Sequence, residues 1–179
     1  MAAVGGMVAG NRRLREACEH DAAACAVSYP PYVSGTAISF KTQPPPAAEM
    51  AGRVADAVRT HAWIVLEEDD LVVGSAYGSP FRSRAASRWT CEVSTYLAQD
   101  WRHTGGGRAV YEQLFQELAQ RGLRTAVAGM TLPNDASVGL HQAMGSERVG
   151  VLRGVGWEHG QWHDVAWMQR TIATYGRRS

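Results

Sequence analysis

The sequence predicts a single α/β (α+β) domain in which a mixed central β-sheet is flanked by about four helices. Helical and strand-like segments alternate along its second half, which is typical of this class. Residues 125–130 (TAVAGM) form a short, continuously apolar run, as expected of a strand buried on both faces. Three consecutive strand-like segments precede a glycine-rich helix, which argues against a doubly wound dinucleotide-binding fold.

Two helices are predicted in the first part of the chain. Residues 21–28 are rich in Ala, and Asp21 is a candidate cap for this helix. Pro30-Pro31 ends it, and residues 32–42 fit an extended loop or a short strand. Residues 47–60 carry apolar side chains four apart, which predicts the second helix.

Strand-like segments follow these helices. Residues 63–66 and 71–77 flank an acidic stretch, residues 67–70, which is predicted to be the turn of a hairpin. A basic loop, residues 81–88, then leads to the strand-like segment Trp89 to Leu97.

Glycines delimit the helices of the second half. Gly105 opens an amphipathic helix for which Gly122 is a natural stop. Either Asn134 or Asp135 is suited to cap a further helix, with Gly145 as its stop. The remaining strand-like segments are Arg148 to Arg153 and Val165 to Ile172.

Length and charge limit the classes of protein to consider. The chain has 179 residues, of which 45% are hydrophobic, and 18 basic against 17 acidic residues give a net charge of +1. We expect a disordered lead-in over residues 1–10, one domain over 11–173 and a tail over 174–179. No strong field favours nucleic acid, and no apolar run is long enough to span a membrane.

The cysteines and the N-terminus predict a cellular compartment. Cys18, Cys25 and Cys91 contain no C-x-x-C pair, which argues against both a disulfide framework and a zinc knuckle. The first ten residues lack a basic region and a sustained apolar stretch, so no secretory signal is predicted. We therefore expect a cytoplasmic protein with reduced thiols.

The segment from Arg102 to Arg108 (RHTGGGR) is a candidate anion site. Free N–H groups at a helix start, together with nearby Arg and His side chains, favour a phosphate group, although three glycines also suit a simple tight turn. No Lys-Ser or Lys-Thr follows the glycines, as a Walker loop requires. The dinucleotide fingerprint needs a third glycine at position 110, which is Val110.

Several motifs in order resemble one family. Residues 102–107 match the Q/R-x-x-G-x-G/A motif of the GNAT superfamily of N-acetyltransferases. The segments WTCEVSTYL, LPNDASVGLHQAMG and HGQWHDVAWMQ are spaced much as in its phosphinothricin N-acetyltransferase family. The resemblance covers about residues 12–172.

This resemblance implies a GNAT-like fold and an acetyl-CoA-dependent N-acetyltransferase that transfers the acetyl group directly, with no covalent enzyme intermediate. It also implies a homodimer and a small amine as substrate. The implied cofactor-binding residues are Thr95, Tyr96, Leu97, Arg102, His103, Thr104, Gly105, Gly106, Gly107, Arg108, Asn134 and Ser137.

Glu92 and His141 are the candidate catalytic residues. A carboxylate in the middle of a strand either faces water or lies in a functional pocket, and a lone helical histidine is often an ordinary surface or core residue. Glu92 matches the position of the general-base glutamate of the family. His141 matches a histidine that is linked in the family to catalysis or to substrate positioning. The resemblance therefore implies that Glu92 removes a proton from the substrate and that His141 shares the acid/base work.

The resemblance implies that the acceptor is the α-amino group of a small amino acid of the phosphinothricin or methionine sulfoximine type. The alternatives are another amine (a polyamine, an aminoglycoside or a protein N-terminus) or a non-catalytic acyl-CoA sensor. Pro30-Pro31 and Gly145-Ser146 depart from the family pattern, and the departures bear on acceptor choice. The candidate substrate-binding residues are Tyr32, Phe40, Lys41, Arg82 and Arg84.

No metal site is predicted. His159 and His163 are four residues apart, but Gly160-Gln161-Trp162 between them indicates a turn, and no third ligand is evident. We expect Trp157, Trp162 and Trp167 to be core residues or pocket walls.

Overall fold

A computed structural model describes residues 11–28 and 45–174, which form a mixed seven-stranded sheet between two layers of helices. The strand order is β1-β2-β3-β4-β5-β7-β6. The strands are β1 (Arg12–Glu16), β2 (Trp63–Glu68), β3 (Leu71–Pro80), β4 (Thr90–Leu97), β5 (Thr125–Thr131), β6 (Glu147–Glu158) and β7 (Gln161–Thr171). The α-helices of the described residues are α1 (Ala22–Ser28), α2 (Ala47–Thr60), α3 (Gly106–Gln120) and α4 (Asp135–Ala143).

The predicted fold class is confirmed. The described helices include none that is long and apolar enough to cross a membrane. The predicted lead-in (1–10), the extended segment (32–42) and residues 175–179 of the predicted tail lie outside the described residues.

Each side of the sheet has its own hydrophobic core. In β2, Ile64 and Leu66 point into the core under α3, whereas Trp63 and Val65 point into the core under α1 and α2. This alternation follows from the two-residue period of a strand. We call the first side the α3 face and the second the α2 face.

Helix ends follow local chemistry, as predicted. Asn134 caps α4, because its side-chain oxygen accepts a hydrogen bond from the Ser137 N–H at 3.1 Å. Gly122 and Gly145 have φ values of +87° and +81°, which side-chain-bearing residues rarely adopt.

Asp21 does not cap α1 as predicted. It ends a short 3-10 turn, Glu19–Asp21, and its carboxylate accepts hydrogen bonds from the Cys18 N–H at 2.8 Å and from Arg15 at 2.7 and 2.8 Å. The Asp21 carboxylate therefore binds Arg15 of β1, six residues earlier in the chain, instead of capping α1.

The prediction for the acidic stretch 67–70 was wrong in part. Glu67 and Glu68 belong to β2, and only Asp69-Asp70 form the turn, with φ values of +50° and +66°. The two glutamates of β2 form ion pairs with arginines of β1: Glu67 pairs with Arg15, and Glu68 pairs with Arg12. The sequence RRLRE of β1 has no apolar run to reveal a strand, so these partners were not foreseen.

The β6–β7 hairpin corrects the prediction for the tryptophans. A turn was predicted at Gly160-Gln161-Trp162; it is formed by His159 and Gly160, both with positive φ, whereas Gln161 and Trp162 already belong to β7. Trp157 and Trp162, however, are 60% and 65% exposed and pack edge-to-face on each other. Trp157 lies on the edge strand β6, and Trp162 is its cross-strand partner in the part of β7 that extends beyond the pairing with β5, so both are surface residues.

We expect Asp21→Asn to lower the free energy of unfolding at pH 7 by about 2 to 4 kcal/mol, because it leaves a largely buried ion pair broken. Hydrogen bonds from Arg15, and a further one from Cys18, lower the pKa of Asp21. Its stabilisation is therefore complete above the unfolded value of about 3.9 and is lost as the pH falls through the lower folded value. Denaturant unfolding at several pH values measures both effects.

The matched control is Asp56→Asn, which alters an exposed pair with Arg59. This change should stay within about 0.5 kcal/mol. Equal effects of the two substitutions would contradict the stabilising role of Asp21.

Candidate active site

The site begins where two central strands separate. β4 and β5 pair in parallel over only three residues each, Thr90 to Glu92 with Thr125 to Val127. Beyond this point β4 continues beside β3 alone, and β5 continues beside β7 alone. The alternation of the two ladders directs the backbone groups of Thr95 and Gly129 towards the resulting gap.

A cleft of about 60 Å³ lies at this gap. It brings together several predicted site residues that are far apart in sequence: Thr95 and Tyr96 on β4 with Asn134, the cap of α4, and with Ser137 and His141 on α4. The complete lining is Val93, Ser94, Thr95, Tyr96, Tyr111, Ala128, Gly129, Met130, Asn134, Ser137 and His141.

Sequence reasoning missed six members of this lining, of which Tyr111 and Gly129 are the most informative. Tyr111 is only 2% exposed, and its side chain reaches the cleft from the first turns of the glycine-rich helix. Gly129 lies on β5 beneath the Trp167 ring, and a Cβ there would meet that ring at 3.4 Å. The one sequence signal for either residue was a lone glycine inside an apolar strand, which is typical of a close approach.

The glycine-rich turn has the geometry of an anion site. Gly105 precedes α3 with φ +82°, and its carbonyl accepts the first helical hydrogen bond, from Ala109 at 3.1 Å. The N–H groups of the first turn have no acceptor within a helix, so those of Gly106 and Gly107 remain available to a ligand. A Cβ on Gly106 would lie 2.9 Å from a methyl group of Leu66, so this position accommodates only glycine without rearrangement.

The other predicted loop residues surround this helix start. His103 has φ +62°, and the Thr104 hydroxyl donates to the Trp101 carbonyl at 2.7 Å. Arg108 extends along the exposed surface and pairs with Glu112 at 2.7 Å. Arg102 closes the short 3-10 turn before the loop through its backbone N–H, and Leu97 packs beside the glycines.

Glu92 lies on the α2 face. Its neighbours Cys91 and Val93 point into the α3-face core, so Glu92 points to the opposite side. Burial raises the pKa of Glu92, and the nearby Arg82 partly offsets this rise. Within residues 11–28 and 45–174, its carboxylate has no hydrogen-bond partner.

His141 approaches the gap from the α3 face. It is 3% exposed and packs against the Tyr111 ring, with ring centroids 5.1 Å apart. Burial lowers the pKa of His141 to about 4, so the imidazole is uncharged at neutral pH. Glu92 and His141 therefore belong to opposite faces of the sheet rather than to one pocket.

An aromatic wall stands beside Glu92 on the α2 face. Phe81 meets Trp167 edge-to-face at 6.0 Å, and the Arg82 guanidinium lies 4.8 Å over the Phe81 ring. Arg84 is exposed at the start of a 3-10 turn. The other predicted substrate residues, Tyr32, Phe40 and Lys41, lie outside the described residues.

A larger cavity, of about 460 Å³, opens on the same face between α2 and the end of β3. Its lining includes Trp63, Tyr77 and Ser79, and Ser79 is the direct cross-strand neighbour of Glu92. The Tyr77 ring stacks on Trp63 at 4.2 Å and lies 6.4 Å from Tyr96. Tyr96 thus contributes its side chain to the α2 face.

The described residues contain no group of three or more His, Cys, Asp or Glu side chains placed to hold a metal ion. His163 is buried and its Nε2 lies 3.0 Å from the Glu158 carbonyl oxygen, across the β6–β7 turn. Its role there is to close the hairpin.

Comparison with known proteins gives a consistent result. The protein-family model of the acetyltransferase (GNAT) domain matches residues 14–167 of the chain. A phosphinothricin N-acetyltransferase of Streptomyces viridochromogenes is 34% identical over 157 residues, which are 88% of this chain and 86% of that protein. An L-methionine sulfoximine/L-methionine sulfone acetyltransferase of Pseudomonas aeruginosa is 34% identical over 101 residues, 56% of this chain and 59% of that protein.

A solved structure extends the likeness to the fold. The crystal structure of a phosphinothricin acetyltransferase from Sinorhizobium meliloti in complex with acetyl-CoA superposes with a TM-score of 0.85 at 33% identity, covering 89% of this chain and 88% of that one. Sequence motifs, sheet topology and relatives agree, and the chain belongs to the GNAT family of acetyltransferases.

Proposed function

We propose that this enzyme transfers an acetyl group from acetyl-CoA to the α-amino group of a small amino-acid-like substrate of the phosphinothricin or methionine sulfoximine type. The gap between β4 and β5 is the observation that carries the proposal. It joins the glycine-rich turn on the α3 face to a half-buried carboxylate, Glu92, on the α2 face. One ligand on each face would meet at the gap.

The residues present fit acetyl-CoA. The first-turn N–H groups of α3 suit its pyrophosphate, because they combine unused donors with the positive end of the helix dipole. Asn134 and Ser137 line the cleft at the gap. When bound, acetyl-CoA supplies the acetyl group as a reactive thioester, and the Thr95 N–H would polarise its carbonyl.

Glu92 acts as the general base. A free α-amine is needed for attack on a carbonyl, whereas the acceptor arrives as an ammonium ion. A carboxylate whose pKa is raised by burial binds the proton more strongly than an exposed one does. Glu92 therefore accepts the ammonium proton, directly or through a water molecule, and the freed amine attacks the thioester carbonyl. The new N–C bond forms as the C–S bond breaks, and the sulfur takes up the second amine proton and leaves as the thiol of CoA.

His141 has a different part. Its imidazole is uncharged at neutral pH, so it serves as a hydrogen-bonding group in the cleft rather than as a cationic acid. Lying on the α3 face, it is placed to contact the acyl donor, not the acceptor. This division puts the base and the hydrogen-bonding group for the acyl donor on opposite faces of the sheet.

Arg82 selects an acceptor that carries a carboxylate. Its guanidinium is exposed, is oriented by the Phe81 ring and acts electrostatically on Glu92. A charged fork of this kind binds carboxylates in two-point fashion, and the Phe81–Trp167 wall offers an apolar surface to the side chain of the acceptor. Acetylation of such an antimetabolite would detoxify it.

The exposed hairpin supports a homodimer. Five large apolar side chains lie on it in full or partial contact with water, and an uncovered apolar edge strand favours association. They are Val149, Leu152, Val155, Trp157 and Trp162. A second copy provides the same edge, so the two β6 strands would pack about a twofold axis.

Free thiols support a reducing compartment. Cys25 and Cys91 are buried and Cys18 is exposed, and none of them forms a disulfide. Burial raises the pKa of the Cys25 thiol to about 11 and that of Cys91 to about 12, which keeps both unreactive. The cytoplasm fits this arrangement.

Acceptor choice is tested by an acetyl-CoA consumption screen. We expect turnover of phosphinothricin and methionine sulfoximine well above that of polyamines and aminoglycosides. Arg82→Ala should raise KM for these amino acids about tenfold, because a charge-assisted contact with the carboxylate is lost. A preference for polyamines would contradict the proposed acceptor class, and CoA binding without turnover of any amine would indicate a sensor.

The base is tested by Glu92→Gln, which should lower kcat/KM by about 10² to 10⁴-fold at pH 8. In the native enzyme the rate should fall as the pH drops through the raised pKa of Glu92, above the usual glutamate value of about 4.3. Initial rates across pH measure this acidic limb of the pH–rate profile, and the Glu92→Gln variant should lack it. Arg82→Ala should move the limb to higher pH, since it removes the charge that lowers the pKa of Glu92.

Glu19→Gln, an exposed carboxylate in the first 3-10 turn, is the matched control and should retain full activity. The CoA affinity of Glu92→Gln should equal that of the native enzyme. Full activity of Glu92→Gln at all pH values would show that Glu92 is not the base.

The dimer surface is tested by the double substitution Val155→Arg/Trp157→Arg. Two charges on the exposed hairpin should disrupt packing of a second copy and leave a monomer of 19.4 kDa. Sedimentation equilibrium measures the mass. Leu71→Arg, at a 68% exposed leucine of β3, is the control and should remain dimeric; a monomeric native protein would contradict the proposal.

A further inference from the structure

We propose that Arg12 of β1 is a positioning residue for the glycine-rich loop, holding the Thr104 carbonyl so that the following N–H groups face the pyrophosphate of CoA. This inference rests on the proposed binding of acetyl-CoA at that loop. It concerns a residue outside the loop itself, 92 positions away from Thr104 in sequence.

Arg12 makes two directed contacts with one guanidinium group. Its Nη1 donates to the Thr104 carbonyl oxygen at 3.1 Å, and its Nε donates to Glu68 Oε2 at 2.7 Å. Arg12 and Glu68 are direct cross-strand partners of β1 and β2. Glu68 is 9% exposed, so a largely buried carboxylate fixes the arginine while its other end reaches the loop.

Thr104 lies at the point where the loop needs such support. The residues on either side of it, His103 and Gly105, both have positive φ, with values of +62° and +82°. The Thr104 hydroxyl is tied to the Trp101 carbonyl at 2.7 Å. The Arg12 contact adds a second tie, from a different layer of the fold, at the residue before the helix cap.

The hydrogen bond from Arg12 to the Thr104 carbonyl also fixes the direction of the next N–H group. In a trans peptide the C=O and the next N–H point in opposite directions. Holding the Thr104 C=O against β1 therefore turns the Gly105 N–H away from β1. The orientation of the first peptide at the α3 start is set by a residue that does not belong to α3.

The neighbouring Arg13 offers a matched comparison. It carries the same charge on the same strand and is exposed. Since Arg12 and Arg13 point to opposite faces of β1, Arg13 does not share the Thr104 contact. A general effect of positive charge on an anionic ligand would appear in both variants, whereas positioning would appear only in Arg12.

The experiment measures CoA affinity by calorimetry in the whole protein. We expect Arg12→Ala to weaken CoA binding about tenfold, the effect of one charge-assisted hydrogen bond, and Arg13→Ala to change it less than twofold. Arg12→Lys should recover only part of the loss, because an ammonium group lacks the fork that spans Glu68 and Thr104. With a good acceptor, KM for acetyl-CoA should rise while kcat and KM for the acceptor stay within twofold.

Glu68→Gln separates positioning from direct contact with phosphate. If Arg12 acts by position, loss of the Glu68 charge should weaken CoA binding as well. The double variant Arg12→Ala/Glu68→Gln should then be no weaker than Arg12→Ala alone. The double variant also leaves no buried carboxylate without its partner. It can therefore be measured even if Arg12→Ala alone is unstable.

Unchanged CoA affinity in Arg12→Ala or in the double variant would overturn the proposal. Tighter binding by Glu68→Gln would overturn it too, because it would mean that a released Arg12 contacts phosphate directly. Failure of the native protein to bind CoA would instead refute the proposed function, and is thereby distinguished from failure of the Arg12 assignment.

Discussion

The parallel pairing of β4 with β5 ends after Glu92 and Val127, and the arrangement of the site depends on this point. Paired strands satisfy their backbone N–H and C=O groups by hydrogen bonding to each other. Where two strands separate, these groups are available to a ligand. The gap is supported from both outer sides, since β3 holds β4 as far as Leu97 and β7 holds β5 as far as Thr131. A rigid opening in the middle of a sheet is the result.

This opening gives the two faces of the sheet different chemistry. On the α3 face, burial keeps His141 uncharged beside a helix start suited to an anion. On the α2 face, burial pushes the pKa of Glu92 upwards beside an exposed arginine, Arg82. The same physical cause, removal of water, weakens a positive charge on one side and strengthens a base on the other.

The first strand links stability to the site. Arg15 of β1 is bound by Asp21 and Glu67, and Arg12 connects Glu68 to the loop before α3. These ion pairs anchor an edge strand that contributes few apolar side chains. Because β1 reaches the loop only through the fold, its arginines could not be assigned a role from the sequence.

The sequence alone determined what local chemistry decides: the periodic helices, the glycine helix ends, a helix cap at Asn134 or Asp135 and the glycine-rich turn before α3. These features depend on neighbours a few residues away. Only the tertiary structure decided that Glu92 and His141 lie on opposite faces, that Tyr111 lines the cleft and that Trp157 is exposed. Each of those follows from strand order and burial, which are set by contacts between distant segments and leave no local pattern in the chain.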